Sequence, residues 1–135
     1  MCQQKAFTLV ELVMVLAILG VCSAVAVPKF IDIKTEEQVS NADGVFGAAQ
    51  SAAAINHAAK LVGKAVADRP AYDATSCPGG MVTNGACLMA ALDGAPDGWS
   101  STGNTISATL GGTTYRVSVA IAETGTGKAI LRKSW

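Results

Sequence analysis

Glu11 is the one charged side chain in an otherwise apolar run from Phe7 to Val27. A carboxylate inside such a run costs free energy wherever water is excluded, up to roughly 2.5–3.5 kcal/mol at the centre of a membrane helix. An intramembrane carboxylate therefore calls for a partner. The sequence contains one: cleavage between Ala6 and Phe7 frees an α-amine four residues before Glu11. In a parallel bundle of axially staggered helices, the amine of one subunit lies beside Glu11 of another, and the two charges neutralise each other. The chemistry expected here is processing at Ala6–Phe7 followed by ion pairing on assembly.

Elsewhere the chemistry-bearing residues are sparse. Cys77 and Cys87 stand ten apart in a Gly/Pro-rich stretch, and in an oxidising compartment they read as a disulfide. A metal pair would need two further ligands, which the neighbourhood lacks. Closing a loop of that size is worth about 2–3 kcal/mol in the chain-entropy model. His57 is the single histidine and has no apparent catalytic or zinc partners, so it is expected as an exposed or half-buried helix residue. Gly125-Thr126-Gly127-Lys128 departs from a phosphate loop, because Ala122 replaces its first Gly and Ala129 its Ser or Thr. Asp93, Asp97 and Glu123 could bind calcium, but carboxylates beside glycines are more often turn residues. No catalytic, cofactor or metal site is expected, and the chain is not expected to be an enzyme.

The elements that position these residues begin with the apolar run. Ten Lys/Arg balance ten Asp/Glu, which argues against a nucleic-acid partner, and the 50% hydrophobic content argues against disorder. Of the 21 residues from Phe7 to Val27, 17 are hydrophobic, whereas from Pro28 onward the count is 48 of 108, and 20 of those are alanines. As a helix, the first stretch reaches about 30 Å, one hydrocarbon thickness. Lys5 before it places the N-terminus on the cytoplasmic side and the bulk of the chain outside the cytoplasm. Three fates compete for the segment: a signal peptide cut after Ala26, a lipoprotein signal ending at Cys22, or a retained anchor with a short leader. Val21 is too large for the residue preceding a lipoprotein cysteine. A generic signal gains nothing from Glu11, so the retained anchor is preferred.

Phe7-Thr8-Leu9-Val10-Glu11-Leu12, followed by an apolar run, resembles the N-terminal signature of type IV pilins and type II secretion pseudopilins. Pro28 stands where that family commonly has a helix-kinking proline. Val27-Pro28-Lys29-Phe30 and the Ala-rich run through Ala48–Ala59 are most similar to the mannose-sensitive haemagglutinin type. The resemblance implies cleavage and N-methylation at Phe7 by a prepilin peptidase; Ala6 takes the place of the family's usual Gly. It also implies use of Glu11 in subunit assembly. The implied partners are other pilin subunits and the pilus assembly platform with its ATPase. The implied location is the inner membrane, with the C-terminal domain periplasmic, and then a surface filament serving adhesion, attachment or motility. A secretion pseudopilin and a secreted soluble binding domain cut after Ala26 are the alternatives.

Past Pro28, Val39, Ala42, Phe46, Ala49 and Ala53 recur at helical spacing, and Ile55, Ala59 and Val62 extend that face. One helix is expected from about Thr8 to Val66, ended by Gly63 and Asp68-Arg69-Pro70. Gly44 and Gly47 are expected to allow close packing of this helix on a sheet. Thr105–Leu110 and Thr113–Ile121 alternate as strands about a Gly111-Gly112 turn, with Tyr115, Val117, Val119 and Ile121 inward, and Lys128–Arg132 follows. Trp99 is expected to pack in the domain and Trp135 to anchor its end. The fold class is α+β: a long N-terminal helix, transmembrane in its first half, packed on a small C-terminal antiparallel sheet, as in the pilin ladle fold. The organisation is a leader (1–6), a transmembrane and filament-core helix (7–27), its continuation onto the globular domain (28–67) and a disulfide-stapled loop with an antiparallel sheet (68–135).

Overall fold

The computed structural model describes residues 7–135, apart from the side chains at 27, 28 and 30–32. The leader and Ala6 lie outside the described residues. So does the side chain of Pro28, on which the expected bend rests. The described chain forms two units, one ending at Glu37 and one from Gln38 to Trp135. Helix α1, Leu9–Leu61, contributes to both.

In the first unit the sequence dictates a helix with no partner of its own. Leu9–Ala26 is helical, has a mean hydropathy of 2.5 and is exposed at every residue. It is long and apolar enough to cross a membrane.

In the second unit α1 supplies a narrow stripe of small side chains. Ala42, Ala49, Ala52 and Ala53 are buried, with Val39, Val45 and Phe46 packed beside them. The expected stripe is therefore present as far as Ala53, but its continuation differs. Ile55 and Val62 are 60% and 76% exposed, and buried Asn56 takes the core position instead. From Ala49, Ala52 and Ala53 the helical repeat of 3.6 leads on to Asn56, and Ile55 falls off the stripe. Gly44 and Gly47 are exposed, and a Cβ on either would touch nothing within 4 Å, so neither serves close packing on the sheet.

Helix α1 ends at Leu61, five residues before the expected Val66. Gly63 adopts φ +78°, its N–H reaches the Lys60 carbonyl, and the Lys64 N–H reaches Ala59. These paired bonds form a Schellman cap, which stops the helix at the first residue free to turn left-handed. Val66–Asp68 is a separate 3-10 turn.

The sheet is a four-stranded antiparallel meander: β1 (Ser100–Thr102), β2 (Thr105–Leu110), β3 (Thr113–Ile121) and β4 (Ile130–Lys133). Gly111 and Gly112 both have positive φ (57° and 87°), as a two-residue hairpin turn requires. Ile106, Ala108, Tyr115, Val117, Val119 and Leu131 fill one face. Ile121 does not join them and is 54% exposed. Val119 pairs with Leu131 and Ile121 with Ile130, so two residues of β3 advance against one of β4. That bulge turns Ile121 out of the core.

Two elements lack clear sequence signals. β1 is only three residues long, and helix α2 (Gly85–Ala91) sits inside the stretch expected as a loop. Asn84 caps α2 by accepting the Cys87 N–H at 2.9 Å. Only glycine fits at position 85, because a Cβ there would lie 2.5 Å from the Thr105 carbonyl oxygen. Cys77 and Cys87 form the expected disulfide, with Cα atoms 5.1 Å apart.

Candidate functional site

The first candidate region is the start of α1. Thr8 precedes the helix, and Glu11 is the third residue of its first turn. One carboxylate oxygen of Glu11 accepts the Thr8 N–H at 2.9 Å and the Thr8 hydroxyl at 2.6 Å. The Thr8 hydroxyl in turn accepts the Glu11 N–H at 3.3 Å. This reciprocal pattern is a capping box, which satisfies helix-end donors that otherwise go unpaired. The spacing Thr8-x-x-Glu11 is its sequence signal, and a reading centred on charge alone passes over it. The second carboxylate oxygen, Oε1, has no hydrogen bond among the described residues. Phe7 is 85% exposed, and every residue from Phe7 to Ala26 is exposed. A contiguous apolar surface of this kind marks contact with lipid or with other subunits. Within it the Ser23 hydroxyl is satisfied by the Gly20 carbonyl at 2.9 Å.

The second region is a buried polar node in the C-terminal unit. Asn56 and Glu123 are its two buried polar side chains among the described residues, at 0% and 4% exposure. Glu123 Oε2 accepts from Asn56 Nδ2 at 2.8 Å and from the Val82 N–H at 2.9 Å. Its Oε1 meets His57 Nδ1 at 3.2 Å. Asn56 also donates to the Gly80 carbonyl at 3.2 Å and accepts the Ala71 N–H at 2.8 Å. One helix position thereby ties down three separate segments, at 71, at 80–82 and at 123. Lys60 adds a bond of 2.6 Å to the Thr124 carbonyl.

This node redefines two sequence expectations. His57 is half-buried as expected, but it has a carboxylate partner that no sequence spacing announces, since Glu123 is 66 residues away. Glu123 is a core residue and not a turn carboxylate. Asp93 is the turn residue, at φ 58°, and Asp97 is exposed. Among the described residues no three His, Cys, Asp or Glu side chains are grouped to hold a metal ion. The oxygens of Glu123 are already taken by structural donors. Lys128 follows a plain turn, in which Thr124 N–H bonds to the Gly127 carbonyl at 2.9 Å.

Comparison with known proteins separates the two regions. The family model described as the prokaryotic N-terminal methylation motif matches residues 1–27. The chain is 43% identical over 51 residues to the major component of a type IV narrow pilus of Thermus thermophilus, covering 38% of this chain and 44% of that one. It is 38% identical over 72 residues to a fimbrial protein of Pseudomonas aeruginosa, covering 52% and 47%. These matches span less than half the length of either relative. Fimbrial protein Q of Moraxella bovis extends the likeness, with 30% identity over 111 residues, 80% of this chain and 69% of that protein. The chain belongs to the type IV pilin family.

The longer match takes the likeness past the N-terminal motif into the C-terminal unit of this pilin. No solved structure gives a significant match. The relatives named above are pilus and fimbrial proteins. In this pilin the motif covers the capped helix start, whereas the node of Asn56 and Glu123 lies outside it.

Proposed function

We infer that this pilin is a structural subunit of a type IV pilus. The observation that carries the reading is an exposed apolar helix whose single carboxylate, Glu11, is capped through one oxygen and has no partner at the other among the described residues. A prepilin peptidase cuts between Ala6 and Phe7 and methylates the new Phe7 amine. The subunit waits in the inner membrane with its C-terminal unit in the periplasm. The pilus assembly platform and its ATPase then move it into a filament of like subunits. There the Phe7 amine of one subunit reaches Oε1 of Glu11 in another. The C-terminal unit faces outward and serves adhesion, attachment or motility.

The capping box explains how Glu11 is tolerated before that step. In lipid, two donors from Thr8 replace part of the lost hydration, and the helix end gains a partner at the same time. A neighbour's amine adds a charged donor at the free oxygen without breaking the cap. The experiment is mass spectrometry of the mature N-terminus, together with filament yield from Glu11→Ala. N-methylated Phe7, and normal cleavage with impaired filaments in the variant, are expected. A mature N-terminus at Val27, or normal filaments from Glu11→Ala with no wild-type subunit present, overturns the reading.

A further inference from the structure

We propose that the solvent face of the four-stranded sheet binds an acidic polysaccharide; this names the partner of the adhesive surface inferred above and rests on that unit being displayed outward. The face follows from the strand register. Ser107 lies opposite Arg116, Thr109 opposite Thr114, Thr105 opposite Ser118, and Ser118 opposite Arg132. Ser100 and Thr102 extend the same rows across β1. The intervening residues Ile106, Ala108, Tyr115, Val117 and Val119 are buried on the other side. The outer face is therefore rows of hydroxyls carrying two guanidinium groups, with the exposed Ile121–Ile130 pair at one end.

Its charge has one sign. None of the four strands contains Asp or Glu. Arg116 and Arg132 are exposed, and neither guanidinium has a hydrogen bond or ion pair among the described residues. They are diagonal neighbours on adjacent strands, about 7–8 Å apart at this register. Lys133, the remaining cation of the strands, points the other way and is tied to Asp43. Arg116 also borders a shallow depression of about 330 Å³, lined with Thr102, Thr105 and Ser107.

Each part of this surface fits one feature of the ligand. A guanidinium presents a planar pair of donors that matches a carboxylate. Each Ser or Thr hydroxyl both donates and accepts, as sugar hydroxyls do. A shallow face gives a single small anion few contacts, whereas an extended polymer can lie across several rows. Display of many copies on a filament would raise the avidity of a weak site. Nucleic acid fits less well. Two cations release few counterions, and the face offers no aromatic ring for base stacking.

The test uses the full chain in detergent, so that no filament is needed and its outcome is independent of the N-terminal mass and filament yield. Binding is measured to immobilised alginate, to neutral dextran and to duplex DNA at one ionic strength. Alginate is expected to retain the protein and dextran is not. Arg116→Ala and Arg132→Ala should each weaken alginate binding by up to about fivefold, as exposed ion pairs allow, and R116E/R132E should abolish it. T105V/S107A removes two hydroxyls, keeps the charge and suits strand geometry, and it should also weaken binding. Unchanged binding in R116E/R132E, unchanged binding in T105V/S107A, or tighter binding to DNA than to alginate overturns the proposal.

Discussion

Asn56→Ala is expected to destabilise the C-terminal unit far more than the loss of one small side chain would suggest. Asn56 is fully buried and makes three hydrogen bonds. Truncation leaves the Ala71 N–H without an acceptor, at about 1–3 kcal/mol for a buried unsatisfied group. It also removes a donor from the Glu123 carboxylate, and hydrogen bonds to charged groups contribute about 1.5–3 kcal/mol. The buried Gly80 carbonyl also loses its Asn56 donor, and leaving it out makes the sum a lower bound. The expected loss is therefore about 3–5 kcal/mol, which for a unit of this size lowers Tm by at least roughly 12 °C.

Glu123→Gln is the matched control. Oε2 accepts both Asn56 and Val82, so a glutamine that places its oxygen there keeps both bonds. Its NH2 group then faces His57 Nδ1, which can accept when the ring proton sits on Nε2. The geometry survives and only the charge assistance is lost, at about 1 kcal/mol. Thermal unfolding of the full chain in detergent, followed by near-ultraviolet circular dichroism, reads both variants. An Asn56→Ala loss below about 1 kcal/mol, or equal damage from Glu123→Gln, would falsify the account of this node as a geometric clamp.

Three further outcomes are expected. Leu131→Ala should cost about 2–4 kcal/mol as a buried truncation, while Ile121→Thr should stay within about 0.5 kcal/mol because the bulge exposes it; guanidinium midpoints compare the two. Cys77→Ser with Cys87→Ser should lose about 2–3 kcal/mol, and the same denaturation curves would contradict the tether if the reduced wild type unfolded at an unchanged midpoint. Hydrogen bonds from Lys133 and then Trp135 hold the Asp43 carboxyl below its ordinary 3.8. The stability this gives is complete above that value and fades as pH falls through the depressed one. Unfolding curves taken between pH 5 and pH 2 should therefore show a shallower acid decline in Asp43→Asn than in wild type.

How much of this was legible depended on whether the cause was local. The Ala42–Ala53 stripe, the Gly111-Gly112 turn and the alternation of β2 and β3 are set by spacings within a few residues, and the chain displays them openly. The disulfide was legible because its loop is short. Ile121 was misplaced because a bulge depends on two strands, and alternation along one of them cannot reveal it. The early stop of α1 was signalled by Gly63, but the Schellman bonds decide between Leu61 and Val66. Glu123 was the hardest residue to read. Its partners lie 41 and 67 residues away in sequence, and nothing in Ala122-Glu123-Thr124 marks a buried carboxylate. The Thr8–Glu11 cap was present in the sequence and became visible only when Glu11 was considered as a helix-end acceptor as well as a charge.

The two glutamates show why one region looks made for exchange and the other does not. On the function proposed above both face the same physical difficulty, a carboxylate held away from bulk water: Glu123 in the core of the chain and Glu11 in lipid or a filament. Glu123 meets it inside the chain: both oxygens have partners, on Asn56, Val82 and His57, which join it to helix α1 and to the segment at 82. Such a closed network offers a new partner nothing to bind. Glu11 meets it halfway, through Thr8 at one oxygen, on a helix segment whose residues are all exposed from Phe7 to Ala26. The second oxygen, unpartnered among the described residues, and the exposed apolar surface lie together, so a partner that covers the surface can also complete the carboxylate. Lipid supplies the cover without a donor. On the function proposed above, a second processed subunit would supply both, an apolar helix and an amine, and the assembled state would gain that advantage over the membrane.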